Sequence, residues 1–519
     1  MQVRNRMAAR GTALGLLLAV APIAGSLAAQ CADGSAPPCG APAQRAVGRT
    51  VAVLYFDNLS PDTADAYLAD GVTEELIVRI GRVQRLAVSS RYAVRRFRGR
   101  PLEYPAALGR DLNVNYLVTG SVRRSGDHVR VTAELMQAAT GARVWGEVFD
   151  REERDLLALQ TDLASDVATG IIGRLAPAER TTIADRPTRS PVAYEHFLRG
   201  NYALAERSPS STVTALAEYQ AALRVDPGYS AARARAAFAY ALFPAWGWNH
   251  PTLSSDTLLA RGLAAADAVL RQDSASSDAW MAYGLLLWLL HPRTFQGVIE
   301  AQQRAVTLDS GNAEALNLLG VTLANVGRDS AAAAAFRQAL MIEPGRPISL
   351  MRLAEIDFLA GRAEQARNLL DSAVTVAPGF HYAYLDRAWV LLRLGNVTAA
   401  RADAETALRL APDDYEAARG VLAATQAATG DTLHARAGLD SLVAPFDRGA
   451  VVREAQVWNI AMPLVALGDT ARALALIERA RPRGAMLWWN LRWPEFGPLR
   501  AAPRLQRVFD ESDPTSEGH

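Results

Sequence analysis

Prolines at 344, 378 and 412 are spaced by 34 residues, and Ser310 stands one period further upstream. Gly327, Gly361 and Gly395 recur at the same interval. Such a period holds two short helices and their turns. Proline stops the second helix, because it lacks an N–H and clashes with the turn before it. Glycine falls where the chain bends between the two helices. The fullest unit carries Leu316, Leu319, Gly320, Leu323, Ala332, Phe336, Ala339 and Pro344. The small residues at Gly320 and Ala332 let the two helices approach closely, and the large ones fill the gaps between helices. A single helix pair cannot bury its own apolar face, so neighbouring pairs must stack into a solenoid.

This period, with these large and small residues in this order, resembles the tetratricopeptide repeat. Weaker units carry Trp280, Tyr283, Gly284 and Leu287, then Leu350, Leu353 and Ala366, then Tyr384, Ala388, Leu391, Ala400 and Ala407. The array is expected over 194–448, with a longer excursion at "FPAWGWNHPTLSSD". A degenerate repeat and an aromatic helical cap, "MLWWNLRWPEFGPLR", are expected over 449–519. In tetratricopeptide proteins, residues at fixed first-helix positions line the concave face. Carried onto this register they are Met281, Trp288, Asn317, Met351, Phe358, Tyr382, Leu385 and Trp389. Methionine and aromatic side chains exposed there favour a protein or peptide partner.

Upstream, the pattern is α/β over 49–176, followed by a polar link over 177–193. "TVAVLYF" and "RLAVSSR" read as strands, and "DAYLADGVTEELIVRIGRV" and "PLEYPAALGRDLN" as helices. "NYLVTGSVRR", "HVRVTAELMQ" and "RVWGEVFD" form a meander, and "DLLALQTDLASDVATGIIGRL" closes the unit as a helix. The expected fold class is a mixed sheet with packed helices, followed by an all-α solenoid.

All 55 basic side chains are arginine. Without lysine there is no Walker A loop, no kinase strand lysine and no Schiff base. A net charge of +1 gives no field to recruit nucleic acid. Arg4, Arg6 and Arg10, the apolar run Ala13–Ala21 and the small residues before Gln30 read as an export signal over 1–29, cleaved after Ala28 or Ala29. The alternative is an anchor retained in the inner membrane. A tether over 30–48 holds Cys31 and Cys39, the only cysteines, which could close a small disulfide loop.

"FDNLSPDTADAYLADGVTEEL", "LGRDLNVNYLVTGSVRR" and "ATGARVW" resemble the amino-terminal domain of the translocation protein TolB, in the version fused to tetratricopeptide repeats. They also resemble the flagellar outer-membrane protein FlgO. The match covers roughly Arg49 to Leu175. The resemblance implies an extracytoplasmic α/β domain with no established catalytic residues. Relatives often carry a winged helix, a nucleotide cyclase or a kinase, and none of these is expected here. Asp62, Asp65 and Asp70 lack the alternating spacing of a calcium loop; Asp62 and Asp65 are read as helix caps, and Glu74 and Glu75 as solvated or paired with Arg79. The basic, aromatic stretch "SSRYAVRRFRGRP" is read as a strand-to-helix loop. No H-E-x-x-H or G-x-S-x-G motif occurs, so no metal, cofactor or catalytic residue is expected. The expected function is non-enzymatic: a scaffold or sensor that holds a protein or peptide partner in the cell envelope. The alternatives are the sensor part of a cyclase- or regulator-linked signalling system, and a small-ligand or glycan binder.

Overall fold

The computed structural model describes residues 49–514 except 90, 96, 100, 101, 103, 187, 292–294, 412–414 and 482–483. The expected signal and tether, Cys31 and Cys39, and Pro412 lie outside the described residues.

Strand β1 (Thr50–Val53) is buried on both faces and pairs in parallel with β3 (Ala87–Val88) and β4 (Tyr116–Ser125). The short β2 (Asp57–Asn58) also joins β4 in parallel. β4, β5 (His128–Gln137) and β6 (Arg143–Glu152) form the antiparallel meander, giving the order β3-β1-β4-β5-β6. Alternation along β5 turns Val129, Val131, Ala133 and Leu135 to one face, where helices Ala66–Gly81 and Leu156–Ile172 cover them. Ala52, Leu54 and Leu117 face the other side, against Leu108 and Leu112 around helix Pro105–Asp111.

Two local differences from the sequence reading have physical causes. Only Ala87 and Val88 of "RLAVSSR" pair in the sheet, because the chain turns into a short helix at Arg91–Arg95. The polar link contains a helix, Pro177–Ala184. Pro177 presets its first turn, Glu179 accepts the Ala176 N–H at 2.8 Å, and Ile183 is fully buried.

From Pro191 the described residues form seven antiparallel helix pairs. Four first helices begin at Ala313, Pro347, His381 and Tyr415, one period of 34 residues apart. Gly327, Gly361 and Gly395 take φ values of 72°, 79° and 79° in the turns, a region that costs glycine little. Leu316, Leu319, Leu323, Ala332, Phe336 and Ala339 are all buried.

A Cβ at Gly320 would lie 2.6 Å from the buried Phe336 ring, while one at Gly438 meets nothing within 4 Å. Gly320→Ala is therefore expected to destabilise by about 1–3 kcal/mol through overpacking. Gly438→Ala is expected to stabilise by up to about 1 kcal/mol through helix propensity alone. Urea midpoints moving in the same direction for both would refute the close approach.

Candidate functional site: the inner face of the repeat array

The carboxylates near the amino terminus have assigned partners. Asp62 Oδ1 accepts from the Ala64 N–H at 2.8 Å, as a cap should. Asp65 makes no capping bond and lies 3.4 Å from Arg124 instead. Asp70 pairs with Arg98 at 2.8 Å, Glu74 with Arg91 at 3.0 Å, and Glu75 with Arg79 at 2.7 Å. Asp70 and Glu74 thus meet Arg98 and Arg91 of the basic loop around one cavity of about 60 Å³. Arg98 lies over the rings of Tyr55 and Tyr202 there, at 5.5 and 5.8 Å. Among the described residues, no group of three or more His, Cys, Asp and Glu could hold a metal ion.

The same stretch locks the sheet domain to the first repeat. A Cβ at Gly71 would lie 2.7 Å from Leu198 of helix Pro191–Leu204, so only glycine fits without displacing it. Beside it, the Tyr67 hydroxyl donates to Glu195 at 2.5 Å, and Arg124 donates to Tyr67 and to Glu153. Burial and the Glu195 carboxylate hold the Tyr67 hydroxyl well above its ordinary pKa.

Seven of the eight residues expected to line an open concave face are buried: Met281, Trp288, Asn317, Met351, Phe358, Leu385 and Trp389. The exposure expected of them is corrected, and Tyr382 alone is half-buried. The chain fills this face with its own side chains. Met281 and Trp288 join one cluster with Phe238, Leu242 and Phe243 of helix Ser230–Trp246. Asn317 accepts from the Ser349 hydroxyl at 3.0 Å. Met351, Phe358, Leu385 and Trp389 belong to a second cluster shared with the carboxy-terminal helices. Trp493 lies 5.2 Å from Phe358, and Trp458 lies 6.2 Å from Trp389. Tyr382 packs at 4.9 Å on Trp246, from the excursion near residue 246.

Charges also line this interior. Glu314 accepts from Arg207 and, at 2.6 Å, pairs with Arg346. Burial opposes its ionisation, but the two guanidinium groups prevail and hold its carboxyl down to about 2. Further along, Arg352 donates to both oxygens of Glu355, at 2.7 and 2.8 Å. Burial and then the Glu355 charge push the Asp386 carboxyl well above the carboxylate range. Trp246, Trp458 and these buried charges were missed by sequence reasoning. The density of tryptophan near the carboxy terminus was the one available signal, and it pointed only to a cap.

Residues 327–388 and 381–414 match models of the tetratricopeptide repeat. Residues 327–414 carry tetratricopeptide repeats. A Rhizobium meliloti (strain 1021) protein named "Putative adenylate cyclase 3" is 31% identical over 193 residues, 37% of this chain and 33% of that protein. The chain therefore spans about a third of the length of this relative. Among solved structures, a thermophilic tetratricopeptide protein of Thermus thermophilus is 18% identical, with 38% of this chain and 99% of that one covered and a TM-score of 0.33. The type IV pilus biogenesis factor PilW is 16% identical, with coverages of 41% and 94% and a TM-score of 0.35. YrrB, described as having an unusual peptide-binding site, is 17% identical, with coverages of 38% and 93% and a TM-score of 0.26.

Proposed function

We propose that this chain is a non-enzymatic scaffold or sensor of the cell envelope, whose repeat array holds a protein or peptide partner along its inner face. The observation that carries the reading is the array itself, in which Met351, Phe358, Leu385 and Trp389 share one buried apolar cluster with the carboxy-terminal segment that covers them. Tetratricopeptide proteins in general bind protein or peptide partners. The TolB- and FlgO-like phrases and the export signal support an extracytoplasmic setting, with the α/β domain fixed to the array through Gly71 and Tyr67.

A second reading is supported by the match to the cyclase-named relative: the chain is the sensory portion of a signalling system. The shared 193 residues make up 33% of that protein. Its activity is not carried over to this chain on that share.

One experiment on chain recovered from envelope fractions tests both location and binding. Its mass is expected to correspond to a start at Ala29 or Gln30. A photo-crosslinking phenylalanine at Tyr382 is expected to give adducts with a protein partner, and one at Met341, which is 76% exposed, is expected to give none. Recovery of the full-length chain from inner membrane would refute cleavage. Equal adduct yields at the two positions would remove the inner face as the binding surface.

A further inference from the structure

Residues 485–493 follow two further helices beyond the seven pairs, Met462–Ala466 and Thr470–Arg479, and then run back across the array. Trp489 joins Leu319, Leu323, Phe336, Leu353 and Ile356 in one apolar cluster, reaching the first helices of two successive repeats. Trp488 covers Gly327, where a Cβ would come within 2.9 Å of its ring. Trp493 lies between Phe358, at 5.2 Å, and Trp458, at 5.6 Å. Arg492 pairs with Asp329, 163 residues away, with one bond at 3.0 Å. Its guanidinium lies over the rings of Trp488 and Trp489 at 4.8 and 5.0 Å. Trp488 and Trp489 on the helix Ala485–Leu491, with Arg492 at its cap and Trp493 just past its end, give three aromatic anchors and one charge-paired arginine, the features by which a short helical peptide is held in a groove.

The fit is incomplete at its polar atoms. Trp488 Nε1 in the segment and Glu454 Oε1 of the helix beside it are buried without a hydrogen-bond partner, as is Glu495 Oε2 just beyond Trp493. A buried polar atom left unbonded forfeits the hydrogen bond it would make in water, so release of the segment restores these bonds. Dispersion and apolar burial favour the closed state, and the orphaned polar atoms favour the open one.

We propose that residues 485–493 act as an intramolecular ligand that closes the inner face, and that the external partner is a helical peptide bearing tryptophans and an arginine that takes their place. This rests on the reading of the inner face as a partner-binding surface and names both its occupant and the chemistry of its competitor.

The test uses the full chain and a dye-labelled synthetic peptide covering residues 484–500. In the Arg492→Ala/Trp493→Ala chain, the peptide is expected to bind at least 10-fold more tightly than in wild type, by fluorescence anisotropy. The same peptide with alanine in place of Trp493 is expected to bind at least 10-fold more weakly. If that double variant fails to fold, a protease site inserted after the exposed Arg481 opens the strap without altering it, and the cleaved chain is expected to exchange its own segment for the labelled peptide. A folded, strap-weakened chain that binds the peptide no better than wild type overturns the proposal. So does a cleaved chain that unfolds outright, because the segment is then part of the core. Crosslinking at Tyr382 separates the two readings. Partner adducts at equal yield in wild type and the strap-weakened chain would keep the binding face and discard the strap, and adducts in neither would discard both.

Discussion

Arg79→Met is expected to lower the unfolding free energy by about 3–5 kcal/mol, the usual cost of removing one partner from a buried charge network. Arg79 is fully buried in helix Ala66–Gly81, yet it is formally charged. It meets Glu75 at 2.7 Å, the Ile183 carbonyl at 2.5 Å, the Asp185 carbonyl at 3.2 Å and the Thr161 hydroxyl at 3.3 Å. One guanidinium therefore joins the helix that carries the acidic stretch to helix Leu156–Ile172 and to the end of helix Pro177–Ala184. Methionine fills much of the volume but leaves these carbonyls without a donor and Glu75 without its counterion. The double variant Arg79→Met/Glu75→Gln is expected to recover part of the loss, since the unpaired carboxylate is then gone. Urea unfolding of the four chains of this cycle measures both effects. A single-variant loss under about 1 kcal/mol would show that the network contributes no more than an exposed ion pair.

Stability is expected to fall as pH rises from about 4.5 to about 7, in contrast to a protein dominated by exposed carboxylates. Burial pushes the carboxyls of Glu454 and Glu495 up from 4.5 to about 7. The Gly484 N–H opposes the shift at Glu454, and the charges of Arg393 and Arg500 oppose it at Glu495. An acid whose folded-state pKa is raised stabilises fully below its unfolded value, and that contribution disappears as pH climbs through the folded value. At 1.36 kcal/mol per pH unit, each group contributes on the order of 3 kcal/mol over this window. Burial also raises Asp386 and Glu343, which adds in the same direction. Glu314 acts oppositely but in a separate window, because its stabilisation is present above about 4.5 and is lost as pH falls towards about 2. The two windows meet near pH 4.5, so these groups together contribute most there. Glu454→Gln/Glu495→Gln is expected to flatten the slope between pH 5 and 8 and to stabilise at pH 8. Chemical denaturation at half-unit pH steps measures both curves, and parallel curves for wild type and variant would rule out these two groups as the source.

Some parts of the site were legible in the sequence for local reasons. The period of 34, the glycines in the turns and the Gly320–Phe336 contact all follow from spacing within one helix pair. The pairing of Glu75 with Arg79 is likewise one helical turn long. The pairings of Asp70 with Arg98 and Glu74 with Arg91 were not legible, because they depend on where a loop crosses a helix.

The sequence by itself determined that the chain alternates strand and helix up to about residue 175 and then stacks short helices with a fixed period. Those outcomes depend on backbone propensity, proline and glycine stops, and apolar periodicity, which act over a few residues. Only the tertiary structure decided what lies against the inner face of the stack. Register arithmetic placed Phe358 and Trp389 on that face as exposed anchors, and the folded chain covers them with Trp493 and Trp458. Arg492, in the segment that closes it, is 163 positions from its partner Asp329. No local pattern encodes such a contact. It forms because an apolar face left open to water is less stable than one covered by the chain's own tryptophans.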